Sequence, residues 1–249
     1  MEKIIQEKLF EIEKQHDIQI LYACESGSRA WGFPSPDSDY DVRFIYLRSL
    51  EHYLSVRQKA DQLSFPITDE LDVYGWDLSK VLLLIGKSNT TPFEWLQSPV
   101  IYRMDENFRN ELWNVCQHYF CARSNVHHYL GIANGAMQSM EGDNIKIKKL
   151  FYVLRPLLSA LWCADRKSIA PMNIVPLMQL LPDDIYKTVL SLIELKSGAA
   201  EGYVIKIDDK LKAWIDETYR YCVEKSEALP KEQLDINIAD AFFRKMILR

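Results

Sequence analysis

The chain has 249 residues, 48% of them apolar and 26% charged, which suits one large globular domain or two small ones. A net charge of −5 argues against a broad nucleic-acid-binding surface, which normally reads basic, and leaves room only for a local basic groove. No apolar run reaches the length of a membrane span, and the segment Met1 to Glu7 lacks a signal-peptide core. Five cysteines without a Cys-x-x-Cys pair fit free thiols, so a cytoplasmic protein with no membrane partner is expected.

Taken in chain order, residues 2–15 predict an amphipathic helix with Ile5, Leu9 and Ile12 on one stripe. Ile18 to Ala23 is short, apolar and β-prone, and reads as a buried strand. The chain turns at Gly27-Ser28, crosses a loop rich in Gly, Pro, Ser and Asp over 32–38, and enters a second strand, Tyr40 to Leu47. Residues 49–58 suit a short helix or loop, and Pro66 makes 61–68 irregular. The alternation Glu70-Leu71-Asp72-Val73-Tyr74 predicts a third strand that Gly75 ends. Asp77 is placed to cap a helix over 78–87, and Phe93 to Leu96 opens another short one.

Near residues 98–105 the texture changes. Before that point strands and helices mix; after it almost everything has helical period. Helices are expected near 106–122, 124–140, 144–165, 171–181, 183–196, 208–227 and 235–248, the third kinking or restarting at Pro156. The expected fold class is therefore α+β: a small mixed sheet with flanking helices over residues 1–104, followed by an all-helical domain over 105–249.

The chemistry concentrates between Cys24 and Asp41. Backbone N–H groups at a Gly-containing strand-to-helix turn can cradle an anion, here at Gly27 and Ser28. Asp39 and Asp41, two residues apart at the start of a strand, send their carboxylates from one face about 7 Å apart. A phosphate cradle facing a carboxylate pair is what metal-assisted phosphoryl or nucleotidyl transfer requires. Asp-x-Asp alone is more often a turn, and Gly-Ser alone says less still; the combination carries the signal. Cys116-x-His118-x-x-Cys121 with His127-His128 does not make a zinc site, because two cysteines five apart on a helix are separated by about 140°. These cysteines and histidines are assigned to packing or to solvent.

A hydrophobic strand, Gly-Ser, a spacer and Asp-hydrophobic-Asp resembles the signature of the DNA polymerase β-like nucleotidyltransferase superfamily. Gly27-Ser28-Arg29-Ala30-Trp31-Gly32, Ser38-Asp39-Tyr40-Asp41-Val42-Arg43, Gly75-Trp76-Asp77-Leu78, Ser88-Asn89, Glu94-Trp95-Leu96 and Ser98-Pro99 resemble one family more closely, as do His128-Tyr129 and Lys149 to Pro156. That family is the RNA repair pathway DNA polymerase beta family of nucleotidyltransferases. The resemblance runs to about residue 181 and thins out beyond it. It implies a nucleotidyltransferase core, two Mg²⁺ ions, a nucleoside triphosphate as substrate and a hydroxyl acceptor, with RNA suggested by the family's name. The catalytic and metal-holding residues would be Asp39, Asp41 and a third acid. Asp72, between Leu71 and Val73, is chosen; Glu70 on the same face is its rival, and Asp77 is explained as a cap without any metal. Gly27 and Ser28 would grip the triphosphate. Arg29 lies either on a phosphate or in a surface ion pair, and Trp31 either on a base or in the core. Lys149 and Arg155 either reach the phosphates or form a solvated basic face, to which Lys146 and Lys148 are assigned. Two other functions fit the same residues: a non-catalytic nucleotide-binding module, and nucleotidylation of a protein or small molecule.

Overall fold

The computed structural model describes residues 1–57, 59–68, 70–138, 144–232 and 235–249. In chain order the elements are α1 (Glu2–His16), β1 (Gln19–Glu25), α2 (Gly27–Trp31), β2 (Tyr40–Leu47), α3 (Leu50–Tyr53), β3 (Gln62–Ser64), β4 (Leu71–Asp77), α4 (Leu78–Gly86), α5 (Thr90–Trp95), β5 (Ile101–Met104) and α6 (Glu106–His118). They continue as α7 (Ala122–Gln138), β6 (Asn144–Lys146), α8 (Ile147–Arg166), α9 (Ile174–Leu177), α10 (Asp183–Gly198), β7 (Val204–Lys206), α11 (Asp209–Ala228) and α12 (Asn237–Ile247). The protein is mixed α+β, with a five-stranded sheet and a helix-rich later part. Among the described residues no helix is long and apolar enough to cross a membrane.

Two compact units divide the chain, and neither is a continuous segment. One comprises Met1–Ala30, Asp39–Tyr119 and Gln233–Arg249; the other comprises Trp31–Ser38 and Phe120–Glu232. This differs from a single cut between 104 and 105, for two packing reasons. Phe33 stacks on Phe151 of α8 at 4.6 Å, and the buried Lys196 of α10 donates from Nζ to Ser35 Oγ at 2.8 Å, so the 31–38 loop belongs to the second unit. In the first unit, Phe242 of α12 packs on Phe108 of α6, and Tyr119 donates its hydroxyl to the Asp235 carbonyl.

The sheet of the first unit has strand order β3-β4-β2-β1-β5. β2 runs parallel to β4 and antiparallel to β1; β3 and β5 are antiparallel edges. Ile5, Leu9 and Ile12 of α1 pack on Ile20, Ala23, Val42, Phe44, Tyr46 and Val73. Each buried Ile, Leu, Val or Phe side chain among them contributes roughly 1.5–3 kcal/mol. Because side chains alternate along a strand, committing Val42, Phe44 and Val73 to α1 sends Asp41, Arg43, Asp72 and Tyr74 to the opposite face. There Trp95 of α5 stacks on Trp76 at 4.3 Å and meets Tyr74 edge-on.

Several elements differ from expectation. β4 runs through Gly75 instead of ending there, because the Phe44 ring lies where a Cβ on Gly75 would sit, 2.2 Å away. β3 forms where an irregular segment was expected; its three residues end before Pro66. α5 starts at Thr90, capped by Asn89, which accepts from Thr91 N. Its Pro92 falls in the first turn, where a missing N–H is harmless. β5 forms at the change of texture, β6 at the start of an expected helix and β7 between two expected helices; all three are too short to show alternation. α6 stops at His118, short of the expected 122, and the region 171–181 holds only the short α9 and a 3₁₀ turn, Met178–Leu180. Gln58 and residues 139–140, parts of two expected helices, lie outside the described residues. α8 continues past Pro156 without restarting, and α7 packs along it.

Candidate active site

β1 delivers the chain to Glu25, and the turn that follows places Gly27 at φ +61°, a left-handed conformation that a glycine adopts without steric cost. Ser26 N donates to the Asp41 carbonyl at 2.8 Å, which locks the turn against the start of β2. The approach is closer than a side chain allows: a Cβ on Gly27 would sit 1.9 Å from Asp41 Oδ2. The glycine therefore serves two ends, the backbone angle and the space for a carboxylate. The helix α2 that follows has only five residues, so its dipole is small and any anion binding there rests on the turn itself.

The parallel pairing of β2 with β4 puts Asp41 directly across from Asp72. One rung earlier, Tyr40 N donates to the Glu70 carbonyl at 2.8 Å, and both Asp39 and Glu70 are exposed. Asp77 lies at the far end of β4 and is occupied: its carboxylate caps α4 through Ser79 N at 2.9 Å and accepts from Tyr53 Oη at 3.0 Å. Of the three acids weighed as partner to Asp39 and Asp41, Asp72 is thus the one opposite Asp41, with Glu70 at the rim.

Two residues missed in the sequence complete the arrangement. Arg43 places Nη2 2.8 Å from Asp41 Oδ1 and 2.7 Å from Asp72 Oδ2, so one nitrogen joins both carboxylates. Its Nη1 donates to the Asp72 carbonyl at 2.9 Å and to the Val42 carbonyl at 3.1 Å, and the guanidinium lies over the Tyr74 ring at 4.1 Å. The signal was present in the sequence, since 39, 41 and 43 alternate onto one face. Glu25, 1% exposed, accepts from Asp41 N at 2.7 Å through Oε1 and from the Tyr102 hydroxyl through Oε2. Burial, the largest influence, raises its pKa above the usual glutamate value against the pull of those two hydrogen bonds.

Arg29 is tied into the turn. Its Nε donates to the Asp39 carbonyl at 3.1 Å and its guanidinium lies over Tyr40 at 3.9 Å, tying the glycine turn to the entry of β2. Ser28 is half-buried in the turn. The remaining candidates belong to the second unit. Arg155 is buried, donates from Nε to the Met172 carbonyl at 2.9 Å, and lies over the Trp31 ring at 4.5 Å. Lys148 pairs with Glu201, Lys146 is exposed, and Lys149 is half-buried. Cys116 and Cys121 are buried thiols, and burial pushes the Cys116 thiol up.

The donor set at the centre is carboxylate oxygen, the chemistry that Mg²⁺ prefers, and a guanidinium nitrogen already marks a cation position between Asp41 and Asp72. The residues fit such an ion. Among the described residues, no three His, Cys, Asp or Glu side chains cluster as a ready-made metal cage. A site of this kind is completed by water and phosphate oxygens instead.

A mixed sheet that brings two facing aspartates against a glycine turn defines an α+β protein with an acidic site at the entry of two parallel strands. The chain belongs to the RNA repair pathway DNA polymerase beta family, whose model matches residues 1–245. It is similar to the uncharacterized protein YcgL of Bacillus subtilis (strain 168), with 37% identity over 239 residues, 95% of this chain and 92% of that protein. The family's name suggests a nucleotidyltransferase-like protein of RNA repair.

Proposed function

We propose that the chain is a nucleotidyltransferase that moves a nucleoside monophosphate from a nucleoside triphosphate to a hydroxyl of RNA and releases pyrophosphate. The observation that carries this reading is the meeting of Asp41 and Asp72 across β2 and β4 beside the Gly27 turn. In the reaction the acceptor hydroxyl gives its proton to solvent water, its oxygen bonds to the α-phosphorus, and the bond from that phosphorus to the oxygen bridging it to the β-phosphorus breaks, releasing pyrophosphate. Asp39, Asp41 and Asp72 would hold two Mg²⁺ ions. When bound, these supply charge stabilisation for the attacking and leaving oxygens.

The chain's own residues do the positioning. Gly27 leaves space for Asp41 Oδ2, and Ser28 with the turn's backbone receives the triphosphate. Glu25 fixes Asp41 by its backbone N–H, and Arg29 holds the turn to the Asp39 carbonyl. All the residues used lie in the first unit. An assay with each labelled nucleoside triphosphate, Mg²⁺ and RNAs of defined ends tests the proposal. Label transfer with stoichiometric pyrophosphate, lost in Asp41→Asn, is expected. Absence of both products with RNA, protein and small-molecule acceptors would sink the enzyme reading, and nucleotide binding indifferent to Mg²⁺ would point to a non-catalytic module.

A further inference from the structure

The Arg43 guanidinium lies where an ion joining the two aspartates would have to go. A single nitrogen, Nη2, donates to Asp41 Oδ1 and Asp72 Oδ2 at 2.8 and 2.7 Å, and the Arg43 side chain is only 10% exposed. Two carboxylates held this close repel each other unless a cation lies between them. Arg43 supplies that cation from within the fold, so the pair keeps its geometry without a metal. The guanidinium is also held independently of the carboxylates, by Nη1 on the Val42 and Asp72 carbonyls and by the Tyr74 ring. It can release its Nη2 contacts and still keep an anchored position.

We propose that Arg43 is a built-in counter-cation that competes with divalent metal for Asp41 and Asp72, so that an ion bridges the pair only when Nη2 gives up both contacts. This rests on the reading of the pair as a metal site. It adds a positioning residue that sets the affinity of the ion and keeps the nucleotide-free site in order. Asp41 is the pivot: Oδ1 is committed to Arg43, while Oδ2 faces the Gly27 turn.

The test is calorimetric titration of Mn²⁺ into the full-length, nucleotide-free protein as wild type, Arg43→Gln and Asp41→Asn. Arg43→Gln is expected to bind Mn²⁺ more tightly than wild type, on the order of tenfold, because one competing positive charge within contact distance is removed. Asp41→Asn should abolish the binding. Metal-free Arg43→Gln should also melt lower than wild type and recover more on adding Mn²⁺. A merely structural arginine would lower the melting temperature without tightening the metal. If Asp41-dependent binding is seen and Arg43→Gln binds no more tightly than wild type, the competition is wrong and the metal site stands. If no form binds Mn²⁺ through Asp41, both readings fall. Should Arg43→Gln fail to fold, the wild-type protein decides by NMR. Mg²⁺ should shift the Arg43 Nε–H resonance, and an unmoved resonance in protein that binds Mg²⁺ through Asp41 would overturn the competition.

Discussion

Gly27 and Asp41 are matched in shape: a Cβ added to the glycine would lie 1.9 Å from Asp41 Oδ2. The glycine's φ of +61° compounds the constraint, since a left-handed angle costs a residue with a Cβ about 1–2 kcal/mol. Gly27→Ala therefore cannot be accommodated without moving the carboxylate or opening the turn. We expect thermal melts to show a loss of roughly 1–3 kcal/mol. Turnover should fall by more than about tenfold, the consequence of a displaced reacting group. An alanine variant with wild-type turnover would show that Asp41 is not held by this turn.

The register between β2 and β4 separates two acids that the sequence left as rivals. Asp72 faces Asp41 and shares Arg43 with it, whereas Glu70 is exposed one rung out. Asp72→Asn should lower turnover by at least about a hundredfold, the scale of losing several kcal/mol of charge stabilisation. Glu70→Gln should change it only a few-fold. Steady-state pyrophosphate release measures both, and the reverse ranking would reassign the third carboxylate.

Glu25 makes stability depend on pH in a stated direction. Burial raises its folded pKa, so the folded chain holds this proton more tightly than the unfolded chain does. Its contribution is complete below the unfolded glutamate pKa and is lost as pH rises through the folded value. Glu25→Gln can still accept from Asp41 N and keeps a polar partner for the Tyr102 hydroxyl, but it does not titrate. The melting temperature of wild type minus that of Glu25→Gln should therefore fall as pH rises from the acid side of the glutamate range, then level off. A difference that grows with pH would mean that the two hydrogen bonds outweigh burial.

Arg155 separates structural from functional basic residues. It is 4% exposed, and its contacts include the Met172 carbonyl and the Trp31 face. Arg155→Met should cost about 2 kcal/mol, the scale of losing the hydrogen bond to the Met172 carbonyl and the cation–π contact with Trp31. Urea unfolding reads this directly. A folded variant of unchanged stability but raised KM for the nucleotide would restore Arg155 to the phosphate-binding group.

Much of this was legible in the sequence because local pattern and tertiary demand agree. The stripe Ile5, Leu9, Ile12 faces the sheet, β2 spans the expected Tyr40 to Leu47, and Asp77 caps α4. What escaped is long-range. Three- and four-residue strands such as β3, β5 and β6 carry no readable alternation, and they exist because a neighbouring strand offers hydrogen bonds. At the site, the Gly-Ser and Asp-x-Asp text was legible because its spacing is local. Arg43 shares a face with Asp39 and Asp41 in the sequence pattern, but its role, like that of Glu25, arises only when β4 and β5 arrive beside β2 and β1.

Gly75 is the sharpest instance of tertiary context reversing a local rule, and it can be tested by a compensating pair. Read alone, glycine ends a strand; in the fold it lies opposite Phe44 in the β2–β4 register, with ring carbons 2.2–2.4 Å from where its Cβ would be. Gly75→Ala must push the Phe44 ring out of a packed core, and overpacking of this kind costs typically about 1–3 kcal/mol. Phe44→Ala alone should cost roughly 3–5 kcal/mol by opening a cavity. If the two residues are matched in volume, the double variant is more stable than the sum of the single losses predicts, by about 1 kcal/mol or more. Chemical denaturation of the four proteins measures that coupling. Simple additivity would show that Gly75 is required for its backbone and not for the space it leaves to Phe44.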